Sequence, residues 1–381
     1  MLRPDVHLLI IAKNEAHVIG RALASGKALG VTTMTVVLDE RTTDNTREVA
    51  LAAGAGVVIR SWPGSLAAAR NDAIDVVKHF GGYILLLDAD DVYEGRLPAV
   101  LTSDVYDVWI HDDALRFPRI QLFRSECPVR FEGIRHERAV PPEGASRAIA
   151  ATLIYKRVGG GEQDKMGRRA KFMTHARDLM EWLRKHPEDA HSLHMLAQSW
   201  RDAGEVEDAR ATYERRVAMG PAGDAQEQYL AALETAFLVE HHDTTASTER
   251  VMGLYLRAHE MAPLHAEPLF HLACYLRERG CVAAAWHFAR RAAELPVPQG
   301  RAVIIDVEIY RWKALAELAV ESWMLGDRGT AMELLQRITR EQPAYAEWAE
   351  EQHNIVANEN PTREPPKWPR SWQLPVRTVA V

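Results

Sequence analysis

Residues 83–91 read YILLLDADD, a run suited to a buried strand that ends in three carboxylates within four residues. A short apolar run bounded by turn formers is the signature of a strand covered on both faces. Bunched acids repel one another, so Asp88, Asp90 and Asp91 either turn the chain into solvent or share a divalent cation with a phosphorylated ligand. The segments on either side decide between the two.

Upstream, VHLLIIA (6–12), MTVVL (34–38) and GVVIR (56–60) read as three earlier strands. Between the last two lies NTREVALAAGAG (45–56), where Asn45 is placed to cap a helix, Glu48 is its capping-box partner and Gly54 or Gly56 closes it. This alternation predicts an α/β domain with a mostly parallel, Rossmann-like sheet. VYDVWIHDD (105–113) and RFPRIQLFR (116–124) add strands, and VRFEGIRHERAV (129–140) continues in an irregular, extended form.

In an open parallel sheet, ligands bind beyond the carboxyl ends of the strands. The first strand runs into Asn14 and Glu15, the second into Asp39 and Asp44, and the fourth into Asp88, Asp90 and Asp91, so one rim collects them all. No GxGxxG follows the first strand and no GxxxxGK[ST] occurs anywhere, which removes the backbone devices for cradling phosphate. A bound phosphate then calls for a cation. Two carboxylates flanking one residue supply hard oxygen ligands to Mg²⁺ or Mn²⁺, which would neutralise a departing diphosphate. His136 and Glu137 form a second constellation, an imidazole able to ligate metal beside a carboxylate able to take a proton. Asp91 and Asp113 are rival bases, and Arg116 and Arg119 read as surface arginines on an edge strand.

From about residue 170 the period becomes helical and self-similar. Leu196-Ala197, Leu272-Ala273 and Leu318-Ala319 each precede an alanine by 13 residues (Ala209, Ala285, Ala331), and a looser copy runs from Leu233 and Phe237 to Val251 and Tyr255. Four such units match tetratricopeptide spacing, in which small residues let paired helices approach. Stacked pairs of this kind form curved surfaces that bind partners. The expected division is an α/β domain over 1–160, an all-α repeat solenoid over 170–350 and an extended tail rich in Pro and Trp over 351–381.

Composition bounds the partners. With 381 residues, 47% hydrophobic and 26% charged, the chain has an ordinary globular make-up, and a formal charge of −7 gives no general attraction to nucleic acid. Three cysteines form neither a disulfide framework nor a close-spaced metal pair, which fits a reducing, cytoplasmic compartment. No apolar run is long enough to span a membrane.

The strings IIAKNEAHVIGRAL (10–23), VVLDERTTDNT (36–46), LAAARNDAI (66–74), YILLLDADD and FEGIRHE (131–137), in that order, resemble the family-two, GT-A-fold glycosyltransferases. The likeness is strongest to the branch with tetratricopeptide repeats behind the catalytic domain, and it extends through PEDAHSLHMLAQSWRDAGEVEDA (187–209) and PLHAEPLFHLACYLRERG (263–280). The resemblance implies inverting transfer from a nucleotide-sugar, a UDP-sugar being expected. Asp39 would contact the base with Asn14 and Glu15 nearby, and Arg70 and Asn71 would face the nucleotide. Asp88 would approach the ribose or the metal, Asp90 would be the principal metal ligand, and His136 would complete the metal or diphosphate contact. The repeats would serve a protein or peptide acceptor or self-association.

Departures are concentrated in two places. Arg41 and Thr42 stand where relatives have Gly and Ser, and Asn45 where they have Gly. Lys156 and Arg157 stand near a position where relatives of this branch often carry His, and a cation there can hold diphosphate without metal. Two competing readings are a repeat scaffold with a non-catalytic nucleotide domain and a haloacid-dehalogenase-type phosphatase. The Asp-x-Asp motif of the latter opens its domain, whereas three strands precede Asp88 here.

Overall fold

The computed structural model describes residues 5–62, 64–112, 115–135, 137–161, 167–221, 224–298 and 305–358. Asp113, His136 and the tail from 359 therefore lie outside the described residues. The chain divides into two compact units, with the boundary between Ala209 and Arg210.

In the first unit, β1 (Val6–Ala12), β2 (Thr33–Asp39), β3 (Gly56–Arg60) and β4 (Tyr83–Asp88) fall where the apolar runs predicted. They alternate with α1 (Ile19–Leu29), α2 (Thr46–Ala52) and α3 (Leu66–Val77). Strands β5 (Val92–Gly95), β6 (Val105–Asp112), β7 (Leu115–Arg124) and β10 (Arg147–Lys156) extend the sheet in the order β3-β2-β1-β4-β7-β6-β10-β5. β8 (Arg130–Glu132) and β9 (Arg138–Val140) form a separate antiparallel hairpin in the stretch expected to be irregular. Strands β5 and β10 have no counterpart in the sequence reading.

β1 pairs in parallel with β2 on one side (Ile10 with Val36) and β4 on the other (Ile10 with Leu87). The chain builds outward from β1 to β3, and α3 then returns it to β4. The switch point between β1 and β4 is where a parallel sheet opens a crevice. Both central strands are buried on both faces. Leu9, Ile11, Ile84 and Leu86 pack against Ala73, Ile74 and Val77 of α3. On the opposite face α1 lies so close that a Cβ on Gly26 would stand 2.4 Å from Leu8 Cδ2. Each fully buried leucine of this kind contributes about 1.5–3 kcal/mol.

Asn45 occupies the predicted cap of α2, but its side chain makes no capping bond. The Asp44 carboxylate does that work instead, accepting from the Thr46 N–H at 3.0 Å. Two helices, α4 (Arg168–Lys185) and α5 (Ala190–Ala203), complete the first unit, and the unit boundary falls inside α6 (Val206–Ala218).

The second unit continues with α7 (Ala225–His242), α8 (Thr248–Met261), α9 (Glu267–Glu278), α10 (Val282–Glu294), α11 (Ala314–Met324) and α12 (Arg328–Glu341). Asp224, Ser247 and Asp327 cap α7, α8 and α12 through side-chain oxygens. The small residues of the repeat pattern, Ala273, Ala285, Ala289 and Ala331, are all fully buried. Helices thus stand where each repeat was expected. α13 (Ala346–Asn358) carries helix eight residues into the segment expected to be extended.

Several charged side chains are buried inside this unit. Arg277 of α9 donates through Nε to Glu317 Oε1 of α11 at 2.5 Å. One turn further along α11, Glu321 is 0% exposed. Burial, and then the charge of Glu317, push its carboxyl well above the usual carboxylate range. No helix among the described residues is long and apolar enough to cross a membrane.

Candidate functional site

Three of the predicted residues tie two rim loops together. Asn14 is the only described non-glycine residue in the left-handed region (φ 57°), and its Oδ1 accepts from the Thr43 N–H at 2.8 Å. The Glu15 N–H donates to Thr46 Oγ1 at 2.8 Å, and the Ala16 N–H donates to Asp44 Oδ2 at 3.0 Å. The loop after β1 is thereby pinned to the loop after β2. The roles of Asn14 and Asp44 in this geometry are to shape backbone.

At the end of β2, Asp39 is only 1% exposed. Its Oδ1 accepts from both the backbone N–H and the Nε–H of Arg41 at 3.0 Å, and its Oδ2 accepts from Arg41 Nη2 at 2.7 Å. Lys13 Nζ lies 3.8 Å from the same oxygen. The Arg41 hydrogen bonds hold the Asp39 carboxyl below its usual range.

Arg70, projected from α3, sits between two acids from distant parts of the chain. Its Nη2 donates to Asp88 Oδ1 and its Nε to Glu137 Oε1, each at 2.6 Å. Burial alone would raise the Asp88 carboxyl. The Arg70 and Arg119 charges, with hydrogen bonds from Arg70 and Tyr155, outweigh it and hold this group well below the usual range. Arg119 also donates to the Glu137 carbonyl at 3.2 Å. Asn71, read as facing the nucleotide, spends both ends of its amide on the backbone of Phe131, at 3.0 and 2.7 Å. Arg135 of the same segment forks onto Asp178 of α4.

Past β4 the turn carries Asp90 and Asp91 against a glycine-rich strap that follows β10. Asp91 Oδ1 accepts from the N–H groups of Val158 (2.7 Å) and Gly159 (3.2 Å). The Tyr155 hydroxyl lies 2.8 Å from Asp91 Oδ2 and 2.8 Å from Asp88 Oδ2. Burial first, then the charges of Asp88 and Asp90, push Asp91 up to about 6 against these hydrogen bonds. Arg21 Nη2 donates to the carbonyls of Asp90 and Gly159, and His17 Nε2 lies 2.7 Å from the Gly160 carbonyl. A Cβ on Gly161 would stand 2.8 Å from Asp90 Oδ2 and 3.2 Å from Glu15 Oε1. The strap can approach this closely only because position 161 is glycine.

These distances bear on a metal. Among the described residues, no group of three or more His, Cys, Asp or Glu side chains gathers as a cation cage. Asp88 directs its two oxygens to Arg70 and Tyr155, and His136 lies outside the described residues. Asp90 Oδ2 and Glu15 Oε1, two hard carboxylate oxygens, lie 2.8 and 3.2 Å from the position that a Cβ on Gly161 would take. That donor set fits Mg²⁺ or Mn²⁺, ions that commonly take one or two carboxylates and complete their shell with phosphate oxygens and water. The alternative diphosphate holders are engaged elsewhere, Lys156 with Glu94 at 2.9 Å and Arg157 with Asp112 at 3.3 Å.

Sequence reasoning missed Arg21, Tyr155, Gly161 and the Arg41 fork. Three consecutive glycines after Lys156-Arg157-Val158 were a visible hint of close backbone approach. Nothing in the local sequence marks Tyr155, whose role depends on β10 lying across the sheet from β4.

Parts of the chain are similar to known proteins. Residues 8–103 match the model of glycosyl transferase family 2. A TPR repeat-containing protein of Synechococcus elongatus is 30% identical over 206 residues, 49% of this chain and 50% of that protein. The succinoglycan biosynthesis protein ExoU of Rhizobium meliloti is 41% identical over 109 residues, 27% of this chain and 31% of that protein. The chain thus spans half of the first relative's length and under a third of the second's. Among solved structures, MamA from Desulfovibrio magneticus superposes with a TM-score of 0.37 at 15% identity, over 48% of this chain and 92% of that one. Residues 8–103, which build the parallel strands and most of the rim, are thus similar to glycosyl transferase family 2, and helices with tetratricopeptide spacing follow them in the chain.

Proposed function

We propose that the chain is a nucleotide-sugar-dependent glycosyltransferase acting with inversion, with a UDP-sugar as donor. The observation that carries this reading is the convergence of Asp39, Glu15, Asp90 and the Arg70-bridged pair Asp88 and Glu137 on the rim at the β1/β4 switch point. The base end of the donor lies toward Asp39, and the diphosphate toward Asp90 and Glu15. A divalent cation bound by those two carboxylates would supply charge neutralisation for the leaving diphosphate.

Of the three expected bases, Asp113 lies outside the described residues, and Asp91 engages both its oxygens, with Val158 and Gly159 on one and Tyr155 on the other. Arg70 takes Oε1 of Glu137 and fixes its orientation. Glu137 is therefore the base that removes the acceptor proton, Arg70 positions it, and Asp91 holds the strap. Asp88, already bound to Arg70, is poorly placed to be a phosphatase nucleophile. The helical region serves acceptor docking, for a protein or peptide acceptor. A growing sugar chain is the rival acceptor, in line with the similarity to a succinoglycan biosynthesis protein.

The test is donor turnover with and without Asp90→Asn. Nucleoside diphosphate release should fall by about two to three orders of magnitude in the variant, with nucleotide binding reduced far less. Chelation of divalent ions should silence the wild type, and added Mn²⁺ or Mg²⁺ should restore it. Activity untouched by both changes removes the metal role. Nucleotide binding without any sugar release assigns the domain as a non-catalytic scaffold.

A further inference from the structure

The Arg41 side chain covers the Asp39 carboxylate, which the donor reading places at the base. The Asp39 side chain is 0% exposed, whereas that of Arg41 is 59% exposed. Both Asp39 oxygens receive the guanidinium, Oδ1 from Nε and Oδ2 from Nη2. A ring N–H from a nucleobase can reach this carboxylate only if the fork opens. The exchange removes two charge-assisted bonds and forms one from a neutral donor, while the Arg41 backbone N–H stays on Oδ1. Release is feasible because the guanidinium already faces water and regains its hydration there.

We infer that Arg41 is a gate on the base subsite: it occupies Asp39 in the empty enzyme, must swing out for a base ring N–H to bind, and speeds nucleotide release by returning. This rests on the donor reading above. Its chemical signature is a base with a ring N–H. Uracil has one at N3, whereas cytosine, of the same size, carries a bare acceptor at that position. The gate therefore acts on uridine nucleotides and is indifferent to cytidine nucleotides.

Calorimetry of UDP and CDP binding in Mg²⁺, with stopped-flow measurement of UDP dissociation, tests it on wild type, Arg41→Ala and Arg41→Lys. The expected result is about fivefold to twentyfold tighter UDP binding in Arg41→Ala with slower dissociation, and CDP binding within about twofold of wild type. Arg41→Lys keeps the charge without the planar fork and should fall between, which also covers a misfolded alanine variant. Weaker UDP binding in Arg41→Ala would overturn the gate and make Arg41 a direct ligand of base or diphosphate. Equal tightening of UDP and CDP, or no change in either, would overturn it as well. Failure of every form, wild type included, to bind either nucleotide would remove the donor reading and the gate with it.

Discussion

At the sheet rim Arg70 touches two carboxylates, Asp88 and Glu137, each at 2.6 Å. Inside the helical unit Arg277 also has two carboxylates near it, but its close ion pair is with Glu317, while Glu321 lies a helical turn away. Each holds one guanidinium and two carboxylates, and the outcomes are opposite. Asp88 is held well below its ordinary range, and Glu321 is pushed well above it. At the rim one guanidinium donates to both acids, and its charge helps hold Asp88 down. Where it donates to one, burial and the neighbouring acid push the second carboxyl well above its ordinary range. The rim triad is thus a charged device suited to orienting a base, and the helical triad is a packing solution.

The most damaging change to the first triad should be Arg70→Met. It takes the guanidinium from both acids, leaving Asp88 with the Tyr155 hydroxyl, at a cost of about 3–5 kcal/mol. Transfer should fall by on the order of 10²- to 10³-fold. Urea unfolding together with donor turnover measures both, and a variant as stable and active as wild type would break the contrast. The matching change in the second unit should have the opposite character. Replacing Arg277, Glu317 and Glu321 together by Met, Leu and Leu should leave stability unchanged or raise it by about 1–4 kcal/mol, because desolvation of the ions disappears with them. Nucleotide affinity should not move. Severe unfolding of that triple variant would show that the helical triad is not merely packing.

The smallest effect sharpens the comparison through pH. Glu321 has a raised carboxyl in the folded state, so its contribution is fully present below the unfolded carboxyl range and drains as pH rises through the folded value. Glu321→Gln stays neutral throughout. Its stability relative to wild type should therefore grow in thermal unfolding as pH rises above the unfolded carboxyl range. A difference that stays flat above the unfolded carboxyl range would mean that the Glu321 carboxyl is not raised in the fold.

The central strands and the repeat register were legible because both are written in periodicities: four apolar runs for β1 to β4, and Leu-Ala pairs 13 residues before an alanine. The rim acids were legible as strand-end residues. Their partners were not. Arg70 meets Glu137 across 67 positions of sequence, and Asp91 meets Tyr155 across 64, and such pairings are set by the order of strands in the sheet. Asn71 shows the same limit in reverse. Beside Arg70 in the family-like string, it looked like a ligand contact, yet it binds the backbone of Phe131.

That last contact has a dynamic consequence. Arg70 and Asn71 are consecutive on α3; one grips Glu137 and the other grips β8, a few residues before it. The helix therefore moves base and hairpin together, and the Phe131 amide proton, held by Asn71 Oδ1, can exchange with solvent only when that grip loosens. Deuterium uptake at Phe131 should be slow in the resting protein and should quicken in Asn71→Ala. In wild type it should respond to donor binding to the extent that donor binding shifts α3, so a single backbone proton reports from outside the site whether the base is in place.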